Sequence, residues 1–275
     1  MFRALLGLRT AVFPQAVSRS AMSGQRQTIL SNIRSGGSSG SGGIPRNGSS
    51  RRNYSGGPFG GYSGRSSARS EMFAIIGLNT AVFAAWSYAR GQQNRDLWIW
   101  LTRNFTLTAS DISQQRWHTL LTSAISHNNF PHFLFNMISF HAFGSILSAV
   151  GIGGVRLFTL CTGSALAGSL AFIYNQSGRN TQSRGLGASG MVMGAAAAAA
   201  CLMPFAPMQL FFIPVSIPLW AVALLYTAVD SYYVNSNSPI GHAAHLGGSV
   251  FGLAYYGLAL RRFGGISRLL SGRRL

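Results

Sequence analysis

Negatively charged side chains are almost absent from this 275-residue sequence, which has four acidic residues and no lysine. Charged residues make up 9% of the chain, whereas soluble domains carry about 25%. Apolar residues account for 47%, so the composition excludes an ordinary soluble domain and predicts an all-α membrane protein. Cysteine is also scarce. Cys161 and Cys201 lie in apolar segments, and we expect buried, unreactive thiols that do not identify a redox compartment.

The positive charge comes entirely from arginine and gives the chain a formal net charge of +18. A nucleic-acid-binding domain would carry such charge on a folded surface together with aromatic side chains. Here ten arginines precede residue 71 and five follow Leu260, so the charge lies in tails around an apolar middle. That distribution is typical of the positive-inside signal of membrane proteins, and we expect no nucleic-acid partner.

Residues 1–70 contain no acidic residue and are rich in Ser, Gly and Arg. Such a composition buries too little apolar surface to offset chain entropy, so it predicts a disordered linker. The opening segment, MFRALLGLRTAVF, is apolar, contains Arg3 and Arg9, and lacks the continuous apolar core of a secretory signal. An acid-free leader rich in Arg and Ser is typical of an organelle transit peptide. We predict mitochondrial import, with a plastid as the alternative.

Six apolar segments follow, each close to the length of about 20 residues that a spanning helix requires. They cover residues 72–90, 131–150, 153–174, 186–204, 208–230 and 240–260. Small residues in the third and fourth predict close helix packing, and Pro214 and Pro218 predict a kinked or partly re-entrant fifth segment. The chain therefore divides into a transit peptide and linker (1–70), a six-helix membrane domain (71–262) and a basic C-terminal tail (263–275).

Polar residues inside spans are functional candidates, because burying them is costly. Six spans put both termini on one side, which the arginine-rich tails indicate is the matrix. The second, fourth and sixth spans then begin at the opposite face. Polar side chains cluster at those three beginnings: His127, His132 and Asn136, then Ser189, then His242 and His245.

A serine, a histidine and further hydrogen-bond donors at one depth are what acyl transfer requires. The alternatives are ordinary: Ser189 could be a helix-packing serine, and His245 a hydrogen-bonded histidine of the bundle. The HAAH spacing also suggests a metal, but alanines stand where a zinc protease carries Glu, and no carboxylate accompanies the histidines. Asp230 is the only acid within the six spans. We therefore expect no metal and no two-aspartate protease, which leaves serine chemistry.

The segments HNNFPHFLFN, GASG and AAHLGGSVFG, each opening an even-numbered helix, resemble the rhomboid family of intramembrane serine proteases. The resemblance covers roughly residues 72–262. GHAAHLGG and the transit-like leader are similar to the mitochondrial, presenilin-associated rhomboid-like branch. The resemblance implies that Ser189 is the nucleophile and His245 the general base, a dyad without a third acidic member. It also implies that His132 and Asn136, with the Ser189 N–H, bind the oxyanion.

The same resemblance implies a six-transmembrane-helix bundle in which Gly248 and Gly252 let the sixth helix approach the fourth. It assigns no catalytic role to His127 or His242, and we expect His242 beside the site or at a helix interface. The implied activity is cleavage of single-span membrane proteins, among them dynamin-like GTPases, within the lipid bilayer of the mitochondrial inner membrane and without a cofactor. The alternative is a catalytically inactive rhomboid-like scaffold that binds clients, against which the complete set of site residues argues.

Overall fold

The computed structural model describes residues 62–177, 183–209, 215–236 and 240–272, which are mostly helical. In chain order the helices are α1 (Tyr62–Gly91), α2 (Arg95–Phe105), α3 (Ala109–Ser113), α4 (Thr119–Thr122), α5 (Phe130–Val150), α6 (Gly154–Ser177), α7 (Ser189–Leu202), α8 (Leu219–Tyr233), α9 (His242–Tyr255) and α10 (Ile266–Leu270). A 3-10 turn, Ser123–Ile125, follows α4, and a π turn, Tyr256–Leu260, continues α9. Strands β1 (Pro207–Gln209) and β2 (Ser216–Pro218) pair antiparallel between α7 and α8.

Among the described residues, three helical stretches are long and apolar enough to cross a membrane: Ala68–Gly91, Phe130–Val150 and Gly154–Ser177. Large apolar side chains on the helices, such as Phe158 and Leu225, are exposed on the outside, as expected where lipid surrounds a protein. The chain is a multi-span membrane protein. The fourth and fifth predicted spans are helical over a shorter length, with 14 residues in α7 and 15 in α8, whereas α9 and the π turn that continues it cover most of the sixth.

The fifth predicted span, 208–230, is where the structure differs most from the sequence-based expectation. Its helix, α8, begins only at Leu219, and the strand pair aligns Met208 with Ile217 before that point. Pro218 is the N-cap of α8. A proline inside a helix lacks the N–H of the i→i−4 bond and its ring clashes with the preceding turn, so a helix does not continue through Pro218 from upstream. A single helix over 208–230 is therefore wrong: among the described residues, the segment expected to be kinked or partly re-entrant is helical only from Leu219 onward.

The helix α1 begins before the predicted boundary at residue 71, so residues 62–70 are helical where composition predicted a linker. Ala68 and Met72 are fully buried, and Met72 packs on α5 at Gly144, where a Cβ would meet the Met72 sulfur. Composition did not indicate this packing, because the apolar partner surface belongs to α5. Residues 1–61, and with them the predicted transit peptide, lie outside the described residues.

The helix α7 lies inside the bundle, and all of its residues except Ser189 and Met193 are buried. It contacts α5, α6, α8 and α9. A Cβ at Gly248 would overlap the Gly190 carbonyl, and one at Gly252 would overlap the backbone one turn further along α7. These contacts confirm the prediction that small residues let α9 approach α7 closely. The same contacts also set the position of α9 relative to α7 along the length of the two helices.

Candidate active site

A cavity of about 1070 Å³ lies at the first turns of α5, α7 and α9. Its wall contains all four residues predicted as the site: His132, Asn136, Ser189 and His245. These helices correspond to the second, fourth and sixth predicted spans. Because successive spans alternate in direction, these three were expected to begin at the same face of the membrane. The structure therefore brings together a hydroxyl, two imidazoles and an amide, which can serve as a nucleophile, a base and oxyanion donors.

Ser189 is the first residue of α7 and is half-buried. Backbone hydrogen bonds hold the segment that leads to it. Leu107 and Gly185 exchange two N–H to carbonyl bonds of 2.8 Å, and the Gly187 N–H donates to the Ser123 carbonyl at 2.9 Å. The connection between α1 and α5 thus positions the approach to Ser189, which the sequence did not indicate.

Gly187 has φ of +130°, a backbone conformation that favours glycine. A Cβ at this position would overlap the imidazole of His132, so the missing side chain also makes room for that ring. The positive φ and the space taken by the His132 ring together explain a glycine two residues before Ser189. His132 therefore lies directly against the turn into α7.

His132 and Asn136 lie one turn apart on α5, whose N-cap is Asn129. The His132 N–H donates to Asn129 Oδ1 at 2.9 Å, and Asn136 Nδ2 donates to the His132 carbonyl at 2.8 Å. That bond uses one of the two amide hydrogens of Asn136. The second hydrogen on Asn136 Nδ2 can be donated to a group bound in the cavity.

His127 is fully buried just before α5 and contacts the residue preceding Ser189. The Ala188 N–H donates to His127 Nε2 at 3.2 Å. Burial, and secondarily the neighbouring His132, lower the pKa of His127 to about 3. The ring is therefore neutral near pH 7, as an accepting nitrogen requires. This contact gives His127 a structural part in the turn into α7.

Asp230 is the residue of this region that the sequence-based prediction missed. Its Oδ1 lies 2.9 Å from Nδ1 of His245 and 2.7 Å from Nδ1 of His242. All three side chains are close to full burial, with exposed fractions of 8%, 12% and 7% for Asp230, His245 and His242. The expectation that no carboxylate accompanies these histidines is therefore wrong. The sequence feature that could have predicted this contact is the short connection between α8 and α9, which brings the end of α8 close to the beginning of α9.

Asp230, His242 and His245 offer three atoms of metal-ligand type within 4.8 Å of one another. Two ligands of one tetrahedral zinc ion lie about 3.3 Å apart, given the usual metal–ligand distances. The contacts of Asp230 with the two rings are shorter, at 2.7 and 2.9 Å, and have the length of hydrogen bonds. The geometry is that of a carboxylate hydrogen-bonded to two imidazoles. That the mechanism uses no metal stays a prediction.

Comparison with known proteins finds relatives over most of the described region. The family model described as "Rhomboid domain" matches residues 114–262. "Rhomboid protein 1, mitochondrial" of Saccharomyces cerevisiae is 30% identical over 187 residues, which cover 67% of this chain and 51% of that protein. "RHOMBOID-like protein 12, mitochondrial" of Arabidopsis thaliana is 30% identical over 198 residues, covering 66% and 56%.

A third relative, "Presenilin-associated rhomboid-like protein A, mitochondrial" of Danio rerio, is 28% identical over 200 residues. These residues cover 71% of this chain and 49% of the relative. The chain therefore spans about half the length of the curated relatives it matches.

Proposed function

The chain belongs to the rhomboid family, and we propose that it is an intramembrane serine endopeptidase acting on single-span membrane proteins. Rhomboid membership implies membrane-protein substrates in general. The observation that carries the finer proposal is the shared cavity wall of Ser189, His245, His132 and Asn136. Each of these side chains has a separate part in acyl transfer, and together they suffice for it without a cofactor.

In this mechanism Ser189 Oγ attacks the scissile carbonyl carbon while its proton passes to His245 Nε2. His132, Asn136 and the Ser189 N–H donate hydrogen bonds to the oxyanion that forms. The protonated His245 then gives its proton to the leaving nitrogen as the C–N bond breaks, which leaves an ester on Ser189. Water attacks the ester, one of its protons passes to His245 and then to Ser189 Oγ, and the carboxylic product leaves.

A substrate helix must unwind near the cut, because helical carbonyls accept hydrogen bonds within the helix. We therefore expect clients with Gly, Pro or other weak helix formers close to the scissile bond. Dynamin-like GTPases with a single span are candidate clients. The cut is expected at the intermembrane-space end of the client span, since the cavity lies at the end of the bundle opposite the arginine-rich C-terminal segment.

The proposed location is the mitochondrial inner membrane, with α7, α8 and α9 as the fourth, fifth and sixth spans. The 14 residues of α7 rise only about 21 Å, less than the bilayer core of about 30 Å. A helix shorter than the bilayer core is compatible with the position of α7, because neighbouring helices shield α7 from lipid and its ends need not reach the membrane interface. The mitochondrial names of the relatives support the location.

The direct test is cleavage of a reconstituted single-span substrate. Ser189→Ala should reduce cleavage to the uncatalysed background while the protein still folds in the membrane, because the nucleophile is gone. Ser249→Ala is the matched control: it removes a half-buried hydroxyl of α9 that does not line the cavity, and full activity is expected. Cleavage by Ser189→Ala at the wild-type rate contradicts the proposal. A folded wild-type protein that binds clients without cutting them supports the inactive scaffold.

The same assay tests the oxyanion donors. His132→Ala or Asn136→Ala should lower kcat by up to about 100-fold with little change in KM, because the donors act mainly on the transition state. His141→Ala is the matched control, since this exposed histidine lies on the same helix α5 away from the cavity. Full kcat in both single variants and in the double variant would show that the site geometry is wrong.

A further inference from the structure

We propose that Asp230 is a positioning residue that holds His245 in the tautomer needed by a general base. The inference rests on the proposed function and adds a third member to its serine–histidine pair. The resemblance to known proteases implied no acidic member. The contact between Asp230 and the two histidines of α9 is what points to one.

The positions of the hydrogens follow from the shared oxygen. Oδ1 of Asp230 is the atom that faces Nδ1 of both His242 and His245. One oxygen carries at most one proton, so it cannot donate to both rings, but a carboxylate oxygen can accept from both. Both hydrogen bonds are therefore made when each Nδ1 carries a hydrogen. In neutral His245 the lone pair then lies on Nε2, which is the nitrogen that takes the Ser189 proton.

The second histidine fixes the carboxylate. His242 donates to Asp230 at 2.7 Å, and its ring stacks on Tyr233 of α8 with ring centroids 5.7 Å apart. The carboxylate is held between two donors from the first turn of α9, so Asp230 cannot turn away from His245 without breaking both bonds. This explains a histidine at position 242 that the mechanism does not otherwise use.

The negative charge of the buried Asp230 carboxylate also favours the transfer of the Ser189 proton to His245. His245 becomes an imidazolium when it accepts the Ser189 proton, and a carboxylate at 2.9 Å from Nδ1 stabilises that cation where water is scarce. In the Ser-His-Asp proteases an aspartate performs both tasks, fixing the tautomer and stabilising the imidazolium. A purely structural tie between α8 and α9 would use the same bonds but would not affect the chemical step.

The first test compares Asp230→Asn with wild-type protein in the membrane-reconstituted 275-residue chain. Asparagine has the same shape but can donate from its amide, so the His245 tautomer is no longer fixed. We expect kcat to fall about 100-fold, within the usual contribution of general acid–base catalysis, with KM changed less than about twofold. The rate at which a fluorophosphonate labels Ser189 should fall in the same proportion.

Asp111→Asn is the matched control, since Asp111 is also a buried, hydrogen-bonded carboxylate. It accepts from the Thr108 N–H at 2.6 Å, pairs with Arg116, and lies outside the cavity wall. We expect this variant to lose stability but to keep the wild-type kcat. An equal loss of kcat in both variants would mean that Asp230 has only a structural effect, which overturns the inference.

A second measurement needs no variant at Asp230. Nitrogen-15 NMR of histidine-labelled wild-type protein, with His245 assigned by loss of its signals in His245→Ala, should show a protonated Nδ1 and an unprotonated Nε2. The opposite tautomer overturns the inference, as does wild-type kcat in folded Asp230→Asn. Activity lost to a chelator and restored by Zn²⁺ would also overturn it, because Asp230 would then be a metal ligand.

Failure of the proposed function gives a different result. A folded wild-type protein that neither cleaves substrate nor accepts the fluorophosphonate overturns both the proposed function and this inference. An active wild-type protein with an equally active Asp230→Asn variant overturns this inference alone.

Discussion

His127 connects the beginning of α5 to the beginning of α7 through a single hydrogen bond. Its ring is fully buried, and Nε2 accepts from the Ala188 N–H at 3.2 Å. A protonated imidazole donates from both nitrogens and accepts at neither. Protonation of His127 would therefore break the bond to Ala188 and place two N–H groups against each other, next to the proposed nucleophile.

This contact predicts a loss of stability in mild acid. The pKa of His127 falls from 6.5 to about 3 on folding, chiefly through burial and secondarily through His132. The unfolded chain therefore binds the proton more readily between these values, and the stabilising contribution is complete above pH 6.5 and declines as the pH falls toward 3. Between pH 7 and pH 5 the loss should reach about 2 kcal/mol.

The measurement is thermal unfolding of detergent-solubilised protein at pH 7 and pH 5. His127→Gln keeps an acceptor near the Nε2 position but does not titrate, so the variant should lose that part of the pH dependence. The same pH dependence in wild-type protein and in His127→Gln would contradict the assignment.

At the scale of the helices, the contact between α7 and α9 determines whether the proposed site can assemble. Gly248 and Gly252 bring α9 against the backbone of α7, with no side chain between the two helices at those positions. Ser189 begins α7, and His242 and His245 lie in the first turn of α9. A change in helix separation would therefore move the nucleophile and the base relative to each other.

Gly248→Ala should destabilise the bundle, because the added Cβ overlaps the Gly190 carbonyl, which is backbone and cannot rotate away. Overpacking of this kind costs about 1–3 kcal/mol. Gly257→Ala is the matched control, since a Cβ there would meet nothing within 4 Å. Thermal unfolding in detergent should show a lower Tm for Gly248→Ala only, and equal Tm values for the two variants would contradict the contact.

The sequence predicted helices better than it predicted their ends. Apolar runs identified α5 and α6 almost to their bounds, because those helices are long and end at turns that the sequence marks with glycines, such as Gly151. The beginning of α8 was predicted ten or so residues too early, since hydropathy alone does not separate an apolar strand pair from a helix. Pro218 was the informative residue there.

At the scale of the whole molecule, the six-span arrangement predicts that the C-terminus faces the matrix. The segment after α9 contains Arg261, Arg262 and Arg268, and positive residues are retained on the side from which insertion occurs. A C-terminal tag should be protected from added protease in intact mitoplasts and digested after detergent is added. A tag digested in intact mitoplasts would mean an odd number of spans or an inverted bundle.

The proposed site shows which kind of information a sequence carries at this scale. His132, Asn136, Ser189 and His245 could be grouped because helices that alternate in direction begin at the same face, so chain order alone predicts their proximity. The contact of Asp230 with His245 could not be obtained in this way. It depends on how the end of α8 is rotated toward α9, which packing of the whole bundle decides.

The most direct measurement of the central claim is mapping of a fluorophosphonate adduct by mass spectrometry. The probe forms a covalent bond only with an activated serine, so labelling reports on the chemistry of the site. We predict a single adduct at Ser189 in the wild-type protein, lost in His245→Ala because the base that activates the hydroxyl is gone. An adduct at another serine, or none in a folded preparation, would contradict the assignment of Ser189 as a catalytic nucleophile.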